Sequence, residues 1–109
     1  MIELKMEEIN ERLAKREDLF VFIYTPLCGT CTVAKKMLEV VEEMLPMVKI
    51  YTININQAPT FAQKWQVKSV PALYIFQKGF SVKQIYAFHS IMHVHQLLLP
   101  YTLMEKGDI

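Results

Sequence analysis

A chain of 109 residues with a formal net charge of +1 and 52% hydrophobic residues suits one folded domain with a buried core, and these values exclude an intrinsically disordered chain. No run of lysine and arginine is longer than two residues, so we expect neither nucleic acid nor a membrane as a partner. The charged N-terminus lacks the apolar segment of a secretory signal. We therefore expect a cytoplasmic protein with a single domain over residues 1–109, and we expect it to be a monomer.

The first half of the chain alternates strand and helix patterns. Ile2 and Leu4 alternate with charged residues and predict a short leading strand, and apolar residues at helical spacing predict a helix over 6–15. The uninterrupted apolar run Leu19–Tyr24 is typical of a central strand that is covered on both faces. Residues 32–45 predict a second helix. Its broad apolar face comprises Val33, Ala34, Met37, Leu38, Val41, Met44 and Leu45.

The middle of the chain continues with two further strands and a hairpin. Beta-branched residues predict a strand over 48–55, and a proline in the first turn predicts a short helix over about 56–65. Residues 72–76 have the pattern of a buried strand. A tight turn at Lys78-Gly79 then leads into an antiparallel partner strand over 82–86.

A last amphipathic helix begins near Ser90. Pro100 should kink or end it, because proline removes a backbone donor and clashes with the preceding turn. The predicted order is strand–helix–strand–helix–strand–helix–strand–strand–helix. Parallel strand–helix–strand units followed by a hairpin predict an α/β fold, with a mixed sheet of four to five strands flanked by helices on both faces.

Two cysteines, Cys28 and Cys31, stand between the second strand and the second helix. This placement suits thiol–disulfide exchange, because the unpaired N–H groups and the dipole of a helix N-terminus stabilise a thiolate. Cys28 comes first and is expected to be the exposed attacking thiol, with Cys31 as the partly covered resolving thiol. The same spacing also occurs in half of many zinc sites, for which His89 and His93 are the other candidate ligands, and in pairs of inert buried thiols.

Four segments occur in order along the chain: Cys28-Gly29-Thr30-Cys31, Asn54-Ile55-Asn56, Val70-Pro71 and Lys78-Gly79. Together with the order of elements, they make nearly the whole chain resemble the thioredoxin family. The resemblance implies a thioredoxin-like fold in which Pro71 follows a cis peptide bond and faces the dithiol across a shallow groove. It implies substrate binding by Val70, Pro71 and Leu27, and tuning of the dithiol by Gly29, Thr30 and His89.

The chain departs from the family's pattern around the dithiol. Leu27 and Thr30 replace the Trp and Pro of the usual motif, and Phe22 replaces a buried Asp that handles the proton of the second cysteine. Thr52 stands in place of the associated Lys, and Lys36 in place of a Pro that kinks the helix. We therefore expect a straighter second helix. We also expect slow resolution by the second cysteine near neutral pH, with water or a substrate group as its proton acceptor.

These features predict a thiol–disulfide oxidoreductase that reduces cytosolic protein disulfides through the Cys28/Cys31 dithiol. Its partners would be disulfide-bearing client proteins and an upstream thiol reductant or reductase, and we expect no metal or other cofactor. The alternative is a thioredoxin-like binding module whose dithiol is idle or holds zinc. Tyr24, at a position that is often aromatic in the family, is expected to be a packing residue beneath the active-site loop.

Overall fold

The computed structural model describes residues 1–107, and it describes their side chains up to residue 102. The strands are β1 (Ile2–Glu3), β2 (Leu19–Tyr24), β3 (Ile50–Asn54), β4 (Ala72–Gln77) and β5 (Phe80–Ile85). The helices are α1 (Met6–Ala14), α2 (Gly29–Met44), α3 (Pro59–Lys64) and α4 (Ile91–Gly107), with a 3-10 turn at Ile55–Gln57. Within this described part of the chain, none of the helices has the length and apolar character needed to cross a membrane.

The five strands form one mixed sheet in the order β1–β3–β2–β4–β5. Strand β2 lies at the centre, parallel to β3 and antiparallel to β4, and β5 pairs antiparallel with β4. Val21, Phe22 and Ile23 in β2 are fully buried. Because consecutive residues of a strand point to opposite faces, their burial shows that β2 is covered on both sides. The sheet and its helices confirm the predicted α/β fold.

Each face of the sheet has its own apolar core. On one face Phe22 packs with residues of α2 and α4, among them Leu38 and Leu98. On the other face Val21 packs with residues of α1 and α3. Cys31 belongs to the core between the sheet and α2, so the dithiol lies at the edge of that first face.

Helix α2 differs from its prediction in where it begins and in which residues it buries. It begins at Gly29, three residues before the predicted start, because Cys28 caps it. Val33 and Met44 were predicted on the buried face, but they are 55% and 43% exposed. The buried face of the helix is narrower than the predicted apolar face, because only one side of the helix contacts the sheet and α4. It comprises Cys31, Ala34, Leu38 and Val41.

Pro100 was predicted to kink or end the last helix, and α4 continues through it, so the helix does not end at this residue. A proline inside a helix costs about 3 kcal/mol. The helix is nevertheless held on both sides of it, because Val94 and Leu98 are fully buried before Pro100 and Thr102 is buried after it. Burial of a large aliphatic side chain contributes about 1.5–3 kcal/mol, so two of them offset the cost of the proline.

The turn between β4 and β5 falls at Lys78-Gly79, as predicted, with φ angles of 54° and 82°. A Cβ atom on Gly79 would lie 2.6 Å from the carbonyl oxygen of Leu13, so glycine is needed where α1 approaches the turn. Strand β5 begins at Phe80, two residues before its predicted start. The predicted helix over 56–65 is divided into the 3-10 turn and α3.

Candidate active site

Cys28 is the N-cap of α2, and its sulfur takes the place of a capping oxygen. Its backbone is extended, with φ −144° and ψ 102°, as is usual for an N-cap. The backbone N–H of Cys31 donates to Cys28 Sγ at 3.1 Å, and the hydroxyl oxygen of Thr30 lies 3.5 Å from the same sulfur. In the reduced protein these donors and the positive end of the helix dipole would stabilise a Cys28 thiolate.

The two cysteines form a disulfide in the structure, with their Cα atoms 5.2 Å apart. They differ in exposure, since Cys31 is only 4% exposed and Cys28 is partly exposed. Leu27, next to Cys28, is fully exposed, and a side chain at Gly29 would extend into open space. A large partner that approaches the dithiol therefore meets Cys28 first.

A groove of about 380 Å³ runs beside the start of α2, and we call it the client groove. Thr30, Val33 and Ala34 of α2 form one wall. Pro71, Tyr86 and Phe88 form the other. The Val70–Pro71 peptide bond is cis, and Val70 itself packs against both cores of the sheet. The structure thus brings Thr30 and Pro71, two of the predicted site residues, to one apolar groove.

A second cavity, of about 160 Å³, lies on the inner side of the dithiol, and we call it the Cys31 cavity. It is lined by Phe22, Tyr24, Thr25, Pro26, Cys31, Thr32 and Lys35. Cys31 is the member of the dithiol that borders it, whereas the client groove borders the other side of α2. Cys31 therefore has surroundings of its own, with hydroxyl groups and one ammonium group.

Tyr24 does more than pack beneath the active-site loop, and here the sequence analysis missed a polar contact. Its hydroxyl donates to the carboxylate of Glu3. Burial and, after it, this contact with Glu3 raise the pKa of Tyr24 to about 12. No local sequence pattern indicates this contact, which depends on the register of the sheet. Glu3 pairs with Thr52, and Thr52 pairs with Phe22, which places all three on the same face as Tyr24.

His89 makes no contact with the dithiol among the hydrogen bonds and ring contacts of the described residues. His89 is exposed, and its ring contacts the ring of His93, with 4.8 Å between the ring centroids. It lines neither the client groove nor the Cys31 cavity, so its tuning role stays a prediction. Among the residues that the structure describes, no three His, Cys, Asp or Glu side chains come together as ligands for a metal ion.

Comparison with known proteins gives a consistent result. The family model described as Thioredoxin matches residues 1–97. The thioredoxin-like protein YusE of Bacillus subtilis (strain 168) is 46% identical over 96 residues, which cover 85% of this chain and 91% of that protein. The thioredoxin of Pyropia yezoensis is 33% identical over 76 residues, which cover 69% of this chain and 67% of that protein.

Solved structures show the same fold. A mutant thioredoxin from Halobacterium salinarum NRC-1 superposes with a TM-score of 0.79, over 93% of this chain and 89% of its own. Its sequence is 19% identical, so this likeness shows the arrangement of strands and helices alone.

Proposed function

Because this chain belongs to the thioredoxin family, we propose that it reduces the disulfide bonds of cytosolic client proteins with its Cys28/Cys31 dithiol. Family membership and the disulfide-forming pair show a thiol–disulfide oxidoreductase. The direction of the reaction follows from the proposed compartment, since the cytosol keeps thiols reduced. A dithiol supplies both electrons that a client disulfide needs, and an upstream thiol reductant or reductase would restore it, so we propose no further cofactor.

Cys28 is the proposed attacking thiol. Its thiolate attacks one sulfur of the client disulfide, forms a mixed disulfide, and releases the other client sulfur as a thiolate that takes a proton from water. Cys31 then loses its proton and attacks Cys28 Sγ. The Cys28–Cys31 bond forms as the bond from Cys28 to the client breaks, and the second client thiolate leaves. The client is reduced by two electrons, and the dithiol is oxidised by two.

The client groove is the proposed binding site for the chain that flanks the client disulfide. Pro71 lines it opposite Thr30, and its walls are mostly apolar. Leu27 precedes Cys28 in sequence and is fully exposed, and Val70 forms the cis peptide bond with Pro71. An extended client segment would pair with the backbone at Val70. Pro71→Ala should weaken capture of a disulfide-bonded peptide while the reaction with a small disulfide stays unchanged. If Pro71→Ala lowers the reaction rate equally with the peptide and with the small disulfide, Pro71 does not act in client binding.

The observation that carries this proposal is the difference in exposure between the two cysteines. Cys28 is partly exposed at the helix cap, while Cys31 is 4% exposed. With a disulfide-bonded test protein, Cys31→Ser should therefore accumulate a mixed disulfide through Cys28, because the second step is blocked. Cys28→Ser is the matched control and should accumulate little. If Cys28→Ser accumulates as much mixed disulfide, the proposed roles are wrong.

We also propose that the protein acts as a monomer in the cytoplasm. The cytoplasmic location is supported by the chemistry, because a dithiol that reduces clients has to be kept reduced by its compartment. Light scattering after gel filtration tests the oligomeric state, and a dimer mass would contradict it. Cell fractionation with the full-length protein tests the compartment.

A further inference from the structure

The proton of Cys31 needs an acceptor, and the structure offers one that the family's pattern does not include. Cys31 is 4% exposed, so its sulfur has little contact with bulk water. Phe22, at the position of the missing carboxylate, is fully buried and cannot accept a proton. The polar surroundings of Cys31 lie in the Cys31 cavity of about 160 Å³. A water molecule needs only about 15 Å³ of such space, so the cavity can hold water between polar groups.

The edge strand β1 places a carboxylate, that of Glu3, in contact with Tyr24, which lines this cavity. Phe22, Thr52 and Glu3 are paired across β2, β3 and β1, so they form one row on the α2 face. Tyr24 lies two residues after Phe22 and points to the same face. Its ring stacks on that of Phe22 with centroids 6.2 Å apart, and its hydroxyl donates to Glu3. Tyr24 thereby joins the cavity to an exposed carboxylate.

We propose that the Tyr24–Glu3 pair accepts the proton of Cys31 during resolution, directly or through one water in the Cys31 cavity. This inference rests on the proposed role of Cys31 as the resolving thiol. The thiol proton passes to the phenolic oxygen as the phenol gives its own proton to the Glu3 carboxylate. The Cys31 sulfur then attacks Cys28 Sγ, and the client thiolate leaves. Glu3 is exposed, so its proton returns to bulk water.

The other polar groups of the cavity are less suited to this task. Lys35 carries an ammonium group, which favours a Cys31 thiolate but has no lone pair for a proton. The Thr32 hydroxyl donates to the Cys28 carbonyl at 3.4 Å. The pKa of Tyr24 is raised to about 12 by burial and by Glu3, so Tyr24 stays a phenol at neutral pH and passes a proton on.

The charged and titratable groups around Cys31 therefore come from three elements. Tyr24 faces it from β2, and Lys35 faces it from α2 itself. Glu3 reaches it from β1 through Tyr24. From α4, Val94 and Leu98 are buried in the core beside α2, and the phenol of Tyr101 packs against that core. None of the described α4 residues lines the cavity.

Rapid mixing of the reduced protein with excess dithiobis(nitrobenzoate) tests the proposal, because each attack releases a coloured thiolate. The rate of the first release measures attack by Cys28 and rises with reagent concentration. The rate of the second release measures resolution by Cys31 and does not depend on reagent concentration. For Tyr24→Phe and for Glu3→Gln, we expect resolution to slow on the order of ten-fold or more at pH 7. We expect the rates of these variants to rise about ten-fold per pH unit between about pH 6 and 8, with a shallower slope for the unmodified protein. The double variant should be no slower than the slower single variant, because the two groups act in series.

Tyr51→Phe and Glu17→Gln are matched controls. Arg12 donates to the Tyr51 hydroxyl at 3.2 Å and lies 3.8 Å from the Glu17 carboxylate, so this network also contains a phenol and a carboxylate but lies outside the cavity. Both controls should keep the original pH profile. Thermal unfolding of each variant shows whether it is folded, and Glu3→Gln changes only an exposed side chain.

Three results would overturn the inference. In the first, Tyr24→Phe and Glu3→Gln both keep the resolution rate and the pH slope of the unmodified protein. In the second, the two control variants slow resolution as much as these variants do. Lys35→Met could slow resolution while Tyr24→Phe does not, which would assign the effect to the ammonium group. If the proposed role of Cys28 is wrong, the result is a different one. The first release, whose rate depends on reagent concentration, would then keep its rate in the Cys28→Ser variant.

Discussion

Replacement of Phe22 with Asp would place a carboxylate beneath the dithiol, and we expect it to destabilise this protein strongly. Phe22 is fully buried, and its ring stacks on Tyr24 and meets Phe88 edge-on, with centroids 6.2 Å and 6.3 Å away. Its paired neighbours are Thr52 on β3 and Leu73 on β4. Thr52 supplies the single hydroxyl of these two paired neighbours, and Phe22 is fully buried although it borders the Cys31 cavity, so a carboxylate in its place would be poorly solvated.

The expected magnitude has two parts. Loss of a buried aromatic ring costs about 3–5 kcal/mol, which is a large share of the roughly 5–15 kcal/mol by which a domain is stable. Burial also raises the pKa of the new carboxyl above its unfolded value of about 3.9, because the apolar core disfavours the charged form. The folded variant then binds its proton more tightly than the unfolded chain does. Its stability is therefore lost as the pH rises from the unfolded pKa to the folded pKa, by about 1.4 kcal/mol per pH unit.

Urea unfolding of the oxidised protein measures this effect. Phe22→Asn is the matched control, because it has the shape of Asp without its ionisation. The free energy of unfolding of Phe22→Asp should fall below that of Phe22→Asn as the pH rises from about 4 to 7. Equal free energies at both ends of this range would show that the carboxylate is solvated from the Cys31 cavity or paired there, and they would refute our view that position 22 is poorly solvated.

Three further predictions follow from single contacts. Val33→Asp should weaken capture of a disulfide-bonded peptide, because Val33 lines the client groove. Val40→Asp, on the same helix outside the groove, should not weaken it, and equal Kd values for the peptide with the two variants would contradict the prediction. The absorbance of tyrosinate should show that Tyr24 titrates near pH 12 instead of 10.0. Glu3→Gln should lower the pKa of Tyr24, because the acceptor carboxylate is lost, and an unchanged titration in this variant would contradict the Tyr24–Glu3 contact. Gly79→Ala should lower the free energy of unfolding by about 1–3 kcal/mol, since φ is 82° and the new Cβ would lie 2.6 Å from a backbone carbonyl of α1; an unchanged urea midpoint would contradict this.

The fold was predictable where a local pattern and the packing agree. The all-apolar run Leu19–Tyr24 specified a strand covered on both faces, and the structure places it at the centre of the sheet. The pattern was less reliable for helices, because periodicity shows which residues share a face but not how wide the covered face is. Val33 and Met44 are exposed for that reason. At Pro100 the local preference was outweighed by burial before and after the proline.

The site was predictable as far as its residues are close in sequence. Cys28 and Cys31 are joined by one helical turn, so their spacing indicated their chemistry. The link between Tyr24 and Glu3 joins strands that are not adjacent in the sheet, and only the register of β1 on β3 and of β3 on β2 reveals it. Long-range polar contacts of this kind leave no periodic pattern in a single sequence.

Partial alkylation of the reduced protein tests the central claim most directly. At neutral pH and limiting iodoacetamide, peptide mass spectrometry shows which cysteine is labelled first. We predict that Cys28 is labelled well before Cys31, because Cys28 is partly exposed at the helix cap and Cys31 is 4% exposed. Labelling of Cys31 first, or of both cysteines at the same rate, would contradict the assignment of Cys28 as the attacking thiol.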